Sequence, residues 1–204
     1  MYPGAFWDER FKQTDYVYGT APNAFLAEQL PQLPVGRMLL PAEGEGRNAV
    51  YAAELGWDVH AVDYSREGIA KARRLATERG VSLIYDYGDL STWMPPEGTN
   101  YDALGVFFFH AREATRHAVL RRLSGLVKVG GHLIMEVFSP EQIGHSSGGP
   151  KAVELMYTPE ELRMLFPEYE WLHFESGKTV LDEGPYHQGE AYTIRMVGRK
   201  GTPS

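Results

Sequence analysis

The sequence predicts one α/β domain built on a doubly wound sheet that is mostly parallel. Three observations support this prediction. Short apolar runs alternate with helical patterns from Met38 onward, which is typical of βαβ units. The chain has 204 residues, a length that suits one domain with appendages better than two full domains. The last two strand-like runs have no helix between them, so we expect them to pair antiparallel.

The first elements of the sheet follow directly from the residue pattern. The run 37–40, apolar after Arg37, predicts the first strand. In 48–55 the alanines recur at helical spacing, which predicts a helix packed closely on the sheet. The run 59–62 predicts a second buried strand. A helix follows, with Ser65 as its N-cap and Gly80 at its end.

The middle of the chain continues the same alternation. The runs 81–85 and 103–109 predict a third and a fourth strand, and 103–109 is apolar on both faces, as a central parallel strand should be. A helix over about 113–127 brings the chain back for the next parallel strand. A tight turn at the glycine pair 130–131 then leads into a fifth strand over 132–138.

In the last third of the chain the alternation of strands and helices stops. Residues 139–157 predict a long loop rich in glycine, which is either a functional lid or a disordered excursion. Thr158 is followed by Pro159 and Glu160-Glu161, and this capping box predicts a helix start. The runs 171–181 and 190–199 predict the final antiparallel pair.

Composition excludes several classes of function. The 27 acidic residues outnumber the 20 basic ones and give a formal charge of -7, so we expect no nucleic-acid partner. The absence of cysteine excludes thiol nucleophiles and zinc–thiolate sites and suits a reducing cytoplasm. No histidine pair has metal-ligand spacing, so no metal is expected. Charges over 8–12 argue against a signal peptide, and no run approaches the ~20 apolar residues of a membrane helix.

The turn after the first strand is the strongest candidate for a binding site. Gly44 and Gly46 allow close approach of a ligand to the backbone, and the helix behind them directs its free N–H groups toward the same place. This favours a nucleotide or a carboxylate-bearing cofactor. Read as Gly44-x-Gly46-x-x-Ala49, the same residues match the dinucleotide fingerprint, so the motif alone does not choose between cofactors.

Two acidic residues follow the next two strands. Asp63 ends the second strand, where a carboxylate can accept both hydroxyls of an adenosine ribose; the alternative is a cap on the following helix. Asp89 follows the third strand, where it could accept the adenine amine while Leu90 packs on the ring. The alternative for Asp89 is an ordinary polar turn.

Taken in order, these features resemble the class I S-adenosylmethionine-dependent methyltransferases over residues 36–200. The likeness is greatest to the small bacterial tellurite-resistance and thiopurine methyltransferase-like group, and it rests on the segments 7–11, 18–26, 44–49 and 183–191. The resemblance implies a single-domain Rossmann-like sheet of seven strands in the order 3-2-1-4-5-7-6. It also implies S-adenosyl-L-methionine as cofactor, S-adenosyl-L-homocysteine as product, and in-line methyl transfer.

The resemblance implies a set of cofactor-binding residues around the glycine turn and the strand ends. They are Tyr16, Tyr18, Pro41, Ala42, Glu43, Gly44, Gly46, Asn48, Asp63, Tyr64, Ser65, Gly88, Asp89, Leu90 and Phe107. One departure stands out, because the family places an acid and a glycine where this chain has Leu40 and Ala42. Glu43 or Glu45 could compensate for the missing acid.

Residues 1–35 predict a cover segment, distinct from the methyltransferase domain over 36–200. The segment is dense in aromatic residues, which either exclude water from the transferred methyl group or simply seal the core. They are Tyr2, Phe6, Trp7, Phe11, Tyr16, Tyr18 and Phe25.

Three residues are candidates for the chemistry. His110, at the end of the fourth strand, could act as a base or position the acceptor, or be merely structural. By resemblance His187 lies near the acceptor pocket, and Arg47 could bind an anionic acceptor. His60, His117, His132 and His173 are interpreted as surface residues.

The expected acceptor is a small molecule, such as a chalcogen oxyanion or a thiol, and the expected assembly is a monomer or homodimer. A NAD(P)-dependent oxidoreductase and a non-catalytic S-adenosylmethionine-binding protein remain alternatives at this point.

Overall fold

The computed structural model describes residues 4–202. Its seven strands form one sheet in the order β3-β2-β1-β4-β5-β7-β6, so the predicted order is confirmed. The strands are β1 (Arg37–Pro41), β2 (Asp58–Asp63), β3 (Ile84–Tyr87), β4 (Tyr101–Phe107), β5 (Val127–Phe138), β6 (Tyr169–Asp182) and β7 (Gln188–Lys200). The α-helices are α1 (Gly4–Phe11), α2 (Ala24–Gln29), α3 (Arg47–Glu54), α4 (Arg66–Arg79), α5 (Glu113–Gly125) and α6 (Pro159–Leu165).

Strand direction determines where a ligand can bind. Strand β1 pairs in parallel with β2 on one side and with β4 on the other. Strand β7 pairs antiparallel with β6, as the missing crossover helix predicted, and it also pairs antiparallel with β5. Because the chain reverses its winding direction between β1 and β4, a crevice opens beyond the carboxyl ends of these strands.

The residues predicted to begin and end helices α4 and α6 do so in the structure. The Ser65 hydroxyl accepts a hydrogen bond from the Gly68 amide at 3.0 Å at the start of α4, and Gly80 ends the helix in the left-handed region at φ 68°. The Thr158 hydroxyl accepts from the Glu161 amide at 3.2 Å and caps α6. These local contacts place α4 and α6 where the sequence predicted them.

Several boundaries differ from the prediction. The glycine pair 130–131 lies inside β5, so the predicted turn before a strand at 132 is wrong. Gly130 adopts φ 80°, and a Cβ on Gly131 would lie 2.8 Å from the Asp102 carbonyl oxygen. The glycines therefore lie in a bulge of β5, where the step from Val127 to His132 is paired with the shorter step from Tyr101 to Ala103 of β4. Strand β3 also begins later than predicted, at Ile84, and β4 spans 101–107 rather than 103–109.

The N-terminal segment contributes to the core as well as covering the cavity described below. Phe25, Leu26 and Leu30 are buried in the same apolar cluster as Met38 and Leu40 of β1. Tyr2, one of the predicted cover residues, lies outside the described residues. The division of the chain at residue 35 stays a prediction.

The predicted loop 139–157 contains two short 3₁₀ turns, Pro140–Gln142 and Val153–Leu155. Gln142 organises this loop. Its side-chain Nε2 donates to Ser147 Oγ and to the Gly148 carbonyl oxygen, each at 3.0 Å. The side-chain oxygen of Gln142, Oε1, accepts from the Tyr192 backbone amide at 2.8 Å, and this bond attaches the loop to β7. Within residues 4–202, every helix is too short or too polar to cross a membrane.

Candidate active site

A cavity of about 480 Å³ lies at the carboxyl ends of β1, β2 and β4. Its floor is the turn between β1 and α3, and its cover is α1 together with Tyr18. Ser146 and residues 148–151 close one side, and residues 185–187 close another. A cavity of this size is in the range that holds a cofactor or drug-sized ligand.

The turn that forms the floor has an unusual backbone. Ala42, Gly44 and Gly46 all lie in the left-handed region, with φ values of 54°, 59° and 85°. A Cβ on Gly46 would lie 2.5 Å from the Ala72 Cβ of α4, so close packing requires glycine there. Ala42 takes the conformation of a glycine although it carries a side chain. The departure seen in the sequence therefore preserves the shape of the turn.

Asp63 holds this turn in place from the end of β2. Its Oδ2 accepts from the Gly44 amide and its Oδ1 from the Ser65 amide, each at 2.8 Å. Burial raises the pKa of Asp63 to about 6, against the lowering effect of these amide bonds. Asp63 lines the cavity, and the cap of α4 is Ser65 rather than Asp63. Its contact with the ribose stays a prediction.

The two glutamates of the turn have different surroundings. Glu45 forms a buried ion pair with Lys71 at 2.7 Å, and it also accepts from the Val17 amide at 2.9 Å. Glu43 accepts from the Ala49 amide at 2.7 Å and has no ion pair among the described residues. Burial raises the pKa of Glu43 to about 7. Glu45 thus fastens the N-terminal segment, whereas Glu43 presents an unpaired carboxyl group to the cavity.

Helix α1 is attached to the sheet by polar and aromatic contacts. Asp8 Oδ1 accepts from the Ser65 hydroxyl at 2.6 Å, at the start of α4. The Arg10 guanidinium lies 5.2 Å from the Phe6 ring and 5.0 Å from the Tyr186 ring, and it donates to the Tyr18 hydroxyl at 3.3 Å. These contacts join the cover to the turn before β7.

His187 lies in an aromatic cluster on the wall of the cavity. Its ring is 4.6 Å from Tyr18 and 4.4 Å from Phe108, measured between centroids. Phe108 has φ 51°, a rare conformation for an aromatic residue, directly after β4. Burial lowers the pKa of His187, so the ring is neutral at pH 7.

His110 lies beside this cluster and stacks on Phe138 at 5.5 Å. Its Nδ1 is 3.1 Å from the Leu155 carbonyl oxygen, a contact that requires the proton on Nδ1. Its Nε2 is therefore a hydrogen-bond acceptor, and it is buried without a partner among residues 4–202. Burial lowers the pKa of His110 to about 4, so the imidazole is neutral at pH 7.

Arg47 is already paired. Its guanidinium donates to Glu183 Oε2 at 2.6 Å, and both side chains are buried. Burial alone would raise the pKa of Glu183, but the neighbouring His187 and Arg47, with the Ala24 amide, lower it to about 2. The predicted anion-binding charge is therefore balanced within the protein.

Twelve of the eighteen predicted site residues line the cavity, and six do not. Those on the wall are Tyr18, Ala42, Glu43, Gly44, Arg47, Asn48, Asp63, Tyr64, Leu90, Phe107, His110 and His187; those away from it are Tyr16, Pro41, Gly46, Ser65, Gly88 and Asp89. The Tyr16 hydroxyl instead donates to the Lys71 carbonyl at 3.1 Å, and Asp89 caps a turn through the Ser91 amide at 2.8 Å.

Sequence reasoning missed part of the wall. The residues it did not assign to the site include Arg10, Phe108, Phe109, Phe138, Pro185 and Tyr186. The available signals were the aromatic run 107–109 at a strand end and the aromatic density of the cover.

His60 was interpreted as a surface residue, and this is wrong. Its ring is buried, with Nδ1 2.7 Å from the Tyr101 hydroxyl and Nε2 2.9 Å from Asp86 Oδ2. A histidine in a buried strand is accommodated here because both ring nitrogens have partners.

Comparison with known proteins agrees with this architecture. Residues 41–131 match a family model described as a methyltransferase domain. No curated protein matches the chain in sequence.

Solved structures match over nearly the whole chain at low identity. TehB from Haemophilus influenzae is 16% identical with a TM-score of 0.70, over 97% of this chain and 66% of that one. This chain thus spans just under two thirds of the length of TehB.

Two further structures match over most of both chains. The CcbJ methyltransferase from Streptomyces caelestis is 15% identical with a TM-score of 0.68, over 96% of each chain. The N-methyltransferase NodS from Bradyrhizobium japonicum is 12% identical with a TM-score of 0.67, over 97% of each.

The matched domain contains the glycine turn, Asp63 and strands β2, β3 and β4. The structural matches cover 96–97% of the chain. Residues 41–131 therefore match a methyltransferase domain, and the chain has the fold of solved S-adenosylmethionine-dependent methyltransferases.

Proposed function

We propose that the protein transfers a methyl group from S-adenosyl-L-methionine to a small nucleophile. One observation carries this proposal: a turn with three left-handed residues faces Asp63 inside a cavity covered by aromatic side chains. When bound, the cofactor supplies an electrophilic methyl group on a sulfonium. The protein then has to hold two molecules in line and exclude water, and an enclosed aromatic cavity suits both tasks.

The residues present fit this cofactor. The turn 42–46 allows close backbone approach for the methionine part, and Asp63 offers a carboxylate for the ribose hydroxyls. Leu90 lies on the wall, where it can pack on adenine. An adenine contact by Asp89 and a cofactor contact by Tyr16 have less support, because neither residue lines the cavity.

The acceptor is proposed to lie at the end of the cavity that carries His110 and His187. Both rings are neutral at pH 7, and the charge of Arg47 is balanced by Glu183. These features favour a thiol or another uncharged nucleophile over an oxyanion bound at Arg47. The cavity must also hold the cofactor, so the acceptor has to be small.

Calorimetric titration with S-adenosyl-L-homocysteine tests the cofactor. We expect saturable binding, and the absence of heat at high micromolar ligand with an intact circular dichroism spectrum would overturn the proposal. Asp63→Ala should weaken binding at least tenfold. Asp58→Ala is the matched control, because Asp58 lies on the same strand but is exposed at the opposite end and pairs with Arg37.

A thermal-shift comparison with NADH and NADPH tests the oxidoreductase alternative, which predicts stabilisation by these ligands instead. Binding of the sulfonium cofactor without turnover across a panel of thiols, phenols, amines and chalcogen oxyanions would favour a non-catalytic binding protein.

A further inference from the structure

We propose that the Glu43 carboxylate binds the ammonium group of the cofactor's methionine part, and that binding expels a proton from this carboxyl group. The inference rests on the proposed function and deepens it. It assigns to Glu43 the acid that the strand end lacks, where Leu40 is fully buried and apolar.

The position of Glu43 supports the assignment. It lies between Ala42 and Gly44 in the left-handed turn, lines the cavity and is 8% exposed. Its Oε1 accepts from the Ala49 amide at 2.7 Å, and its Oε2 is 3.4 Å from the Asn48 side-chain nitrogen. These donors at the start of α3 hold the carboxyl group in one orientation and leave it capacity for a further donor.

The other acidic groups near the turn are already engaged. Lys71 neutralises Glu45, and the proposed function already assigns Asp63 to the ribose hydroxyls. The titratable or charged groups that act on the same region are Arg47 of α3, Asp63 of β2, Tyr85 of β3, Glu45 of the turn and Arg10 of α1. Arg47 is balanced by Glu183, so a cationic ligand group would be the first full partner of Glu43.

Proton release follows from the energetics of the buried carboxyl group. Without ligand, burial raises the pKa of Glu43 to about 7, so about half of the molecules carry a neutral carboxyl group at neutral pH. An adjacent ammonium favours the ionised form and lowers this pKa. Affinity should therefore increase about tenfold from pH 6 to pH 8, as the empty site loses its proton before binding.

A purely structural role is the competing explanation, since Glu43 also bonds to an amide in the first turn of α3. Glu43→Gln separates the two roles. The glutamine carbonyl can still accept the Ala49 amide, but it presents no charge to an ammonium group.

The experiment compares two ligands by calorimetry on the full chain at pH 6, 7 and 8. S-adenosyl-L-homocysteine carries the ammonium group, and 5′-methylthioadenosine is the same nucleoside thioether without the amino-acid part. For the unmodified protein we expect proton release and a tenfold pH effect with the first ligand only, measured in buffers of different ionisation enthalpy. Glu43→Gln should lose at least tenfold in affinity for the first ligand at pH 8 and keep its affinity for the second.

Glu97→Gln, at an exposed turn, is the control variant. Equal loss for both ligands, or no proton release by the unmodified protein, would overturn the assignment and leave a capping role. If neither ligand binds the unmodified protein, the proposed function itself fails.

Discussion

The buried guanidinium of Arg47 donates to Glu183 at 2.6 Å and so joins the start of α3 to the turn before β7, 136 residues further along the chain. The carboxylate of Glu183 also accepts from Asn23 Nδ2 at 3.0 Å and from the Ala24 amide at 2.9 Å. One carboxylate thus holds together the N-terminal segment, the start of α3 and the segment that carries His187. Arg47 acts in this network as a structural cation, which explains why its charge is not available to a ligand.

Glu183→Gln should destabilise the protein by about 3 kcal/mol, because it leaves a buried guanidinium without its counter-charge. The measurement is urea unfolding at pH 7. Glu190→Gln is the matched control, since Glu190 pairs with Lys178 on the surface and its loss should cost less than about 1 kcal/mol. Equal effects for the two variants would show that the buried pair contributes no more than a surface pair.

Ala42→Gly should stabilise the protein by about 0.5 kcal/mol. The left-handed φ of 54° costs an alanine about 1–2 kcal/mol, and the extra freedom of glycine in the unfolded chain offsets part of this gain. Ala52→Gly in α3 serves as the control and should destabilise by about 1 kcal/mol or more, because that alanine is helical and buried. Destabilisation by Ala42→Gly would indicate that the methyl group contributes packing that outweighs the strain.

Much of the fold was predictable because it depends on local signals. Alternating strand and helix patterns predicted a mostly parallel sheet, and Ser65 and Thr158 marked two helix starts. The strand order came from the resemblance to the methyltransferase family, and the structure confirms it. The glycine pair at 130–131 was misread as a turn. Both a tight turn and a strand that passes close to another backbone require residues without a side chain, so the sequence alone does not separate them. Only the contact with Asp102 distinguishes them.

The site was predictable where one turn or one strand end forms it. Gly44 and Asp63 were identified because each lies at the end of a parallel strand. The pairing of Arg47 with Glu183, and the partners of His60 in β3 and β4, depend on residues far apart in the chain, and no local pattern reports such contacts.

His110 should remain neutral with its proton on Nδ1 from pH 8 down to about pH 5. Burial lowers its pKa to about 4, and the Leu155 carbonyl selects the tautomer. Long-range ¹⁵N–¹H correlation spectra of the imidazole nitrogens measure both properties, and His110→Gln assigns the signal. A midpoint near 6.5 would show that the ring is solvated and would remove the basis for a neutral acceptor pocket.

Glu43→Gln should raise the melting temperature of the ligand-free protein at pH 8 while leaving it almost unchanged at pH 5. Burial raises the pKa of Glu43 from 4.5 to about 7. Between pH 4.5 and pH 7 the carboxyl group is therefore protonated in the folded state and ionised in the unfolded state. The stability that this proton contributes is present below pH 4.5 and is lost as the pH rises through 7.

At pH 8 the ionised, buried Glu43 therefore costs up to about 3 kcal/mol, which the amide variant avoids. For a chain of this length, each kcal/mol corresponds to about 2–4 °C. The difference in melting temperature between the variant and the unmodified protein reports on Glu43 alone. The pKa shifts of Asp63, His110 and His187 are present in both proteins and cancel. Calorimetric melting at pH 5, 6, 7 and 8 measures this difference. A difference that does not change with pH would mean that Glu43 ionises as an ordinary solvated carboxylate, which would also remove the expected proton release on cofactor binding.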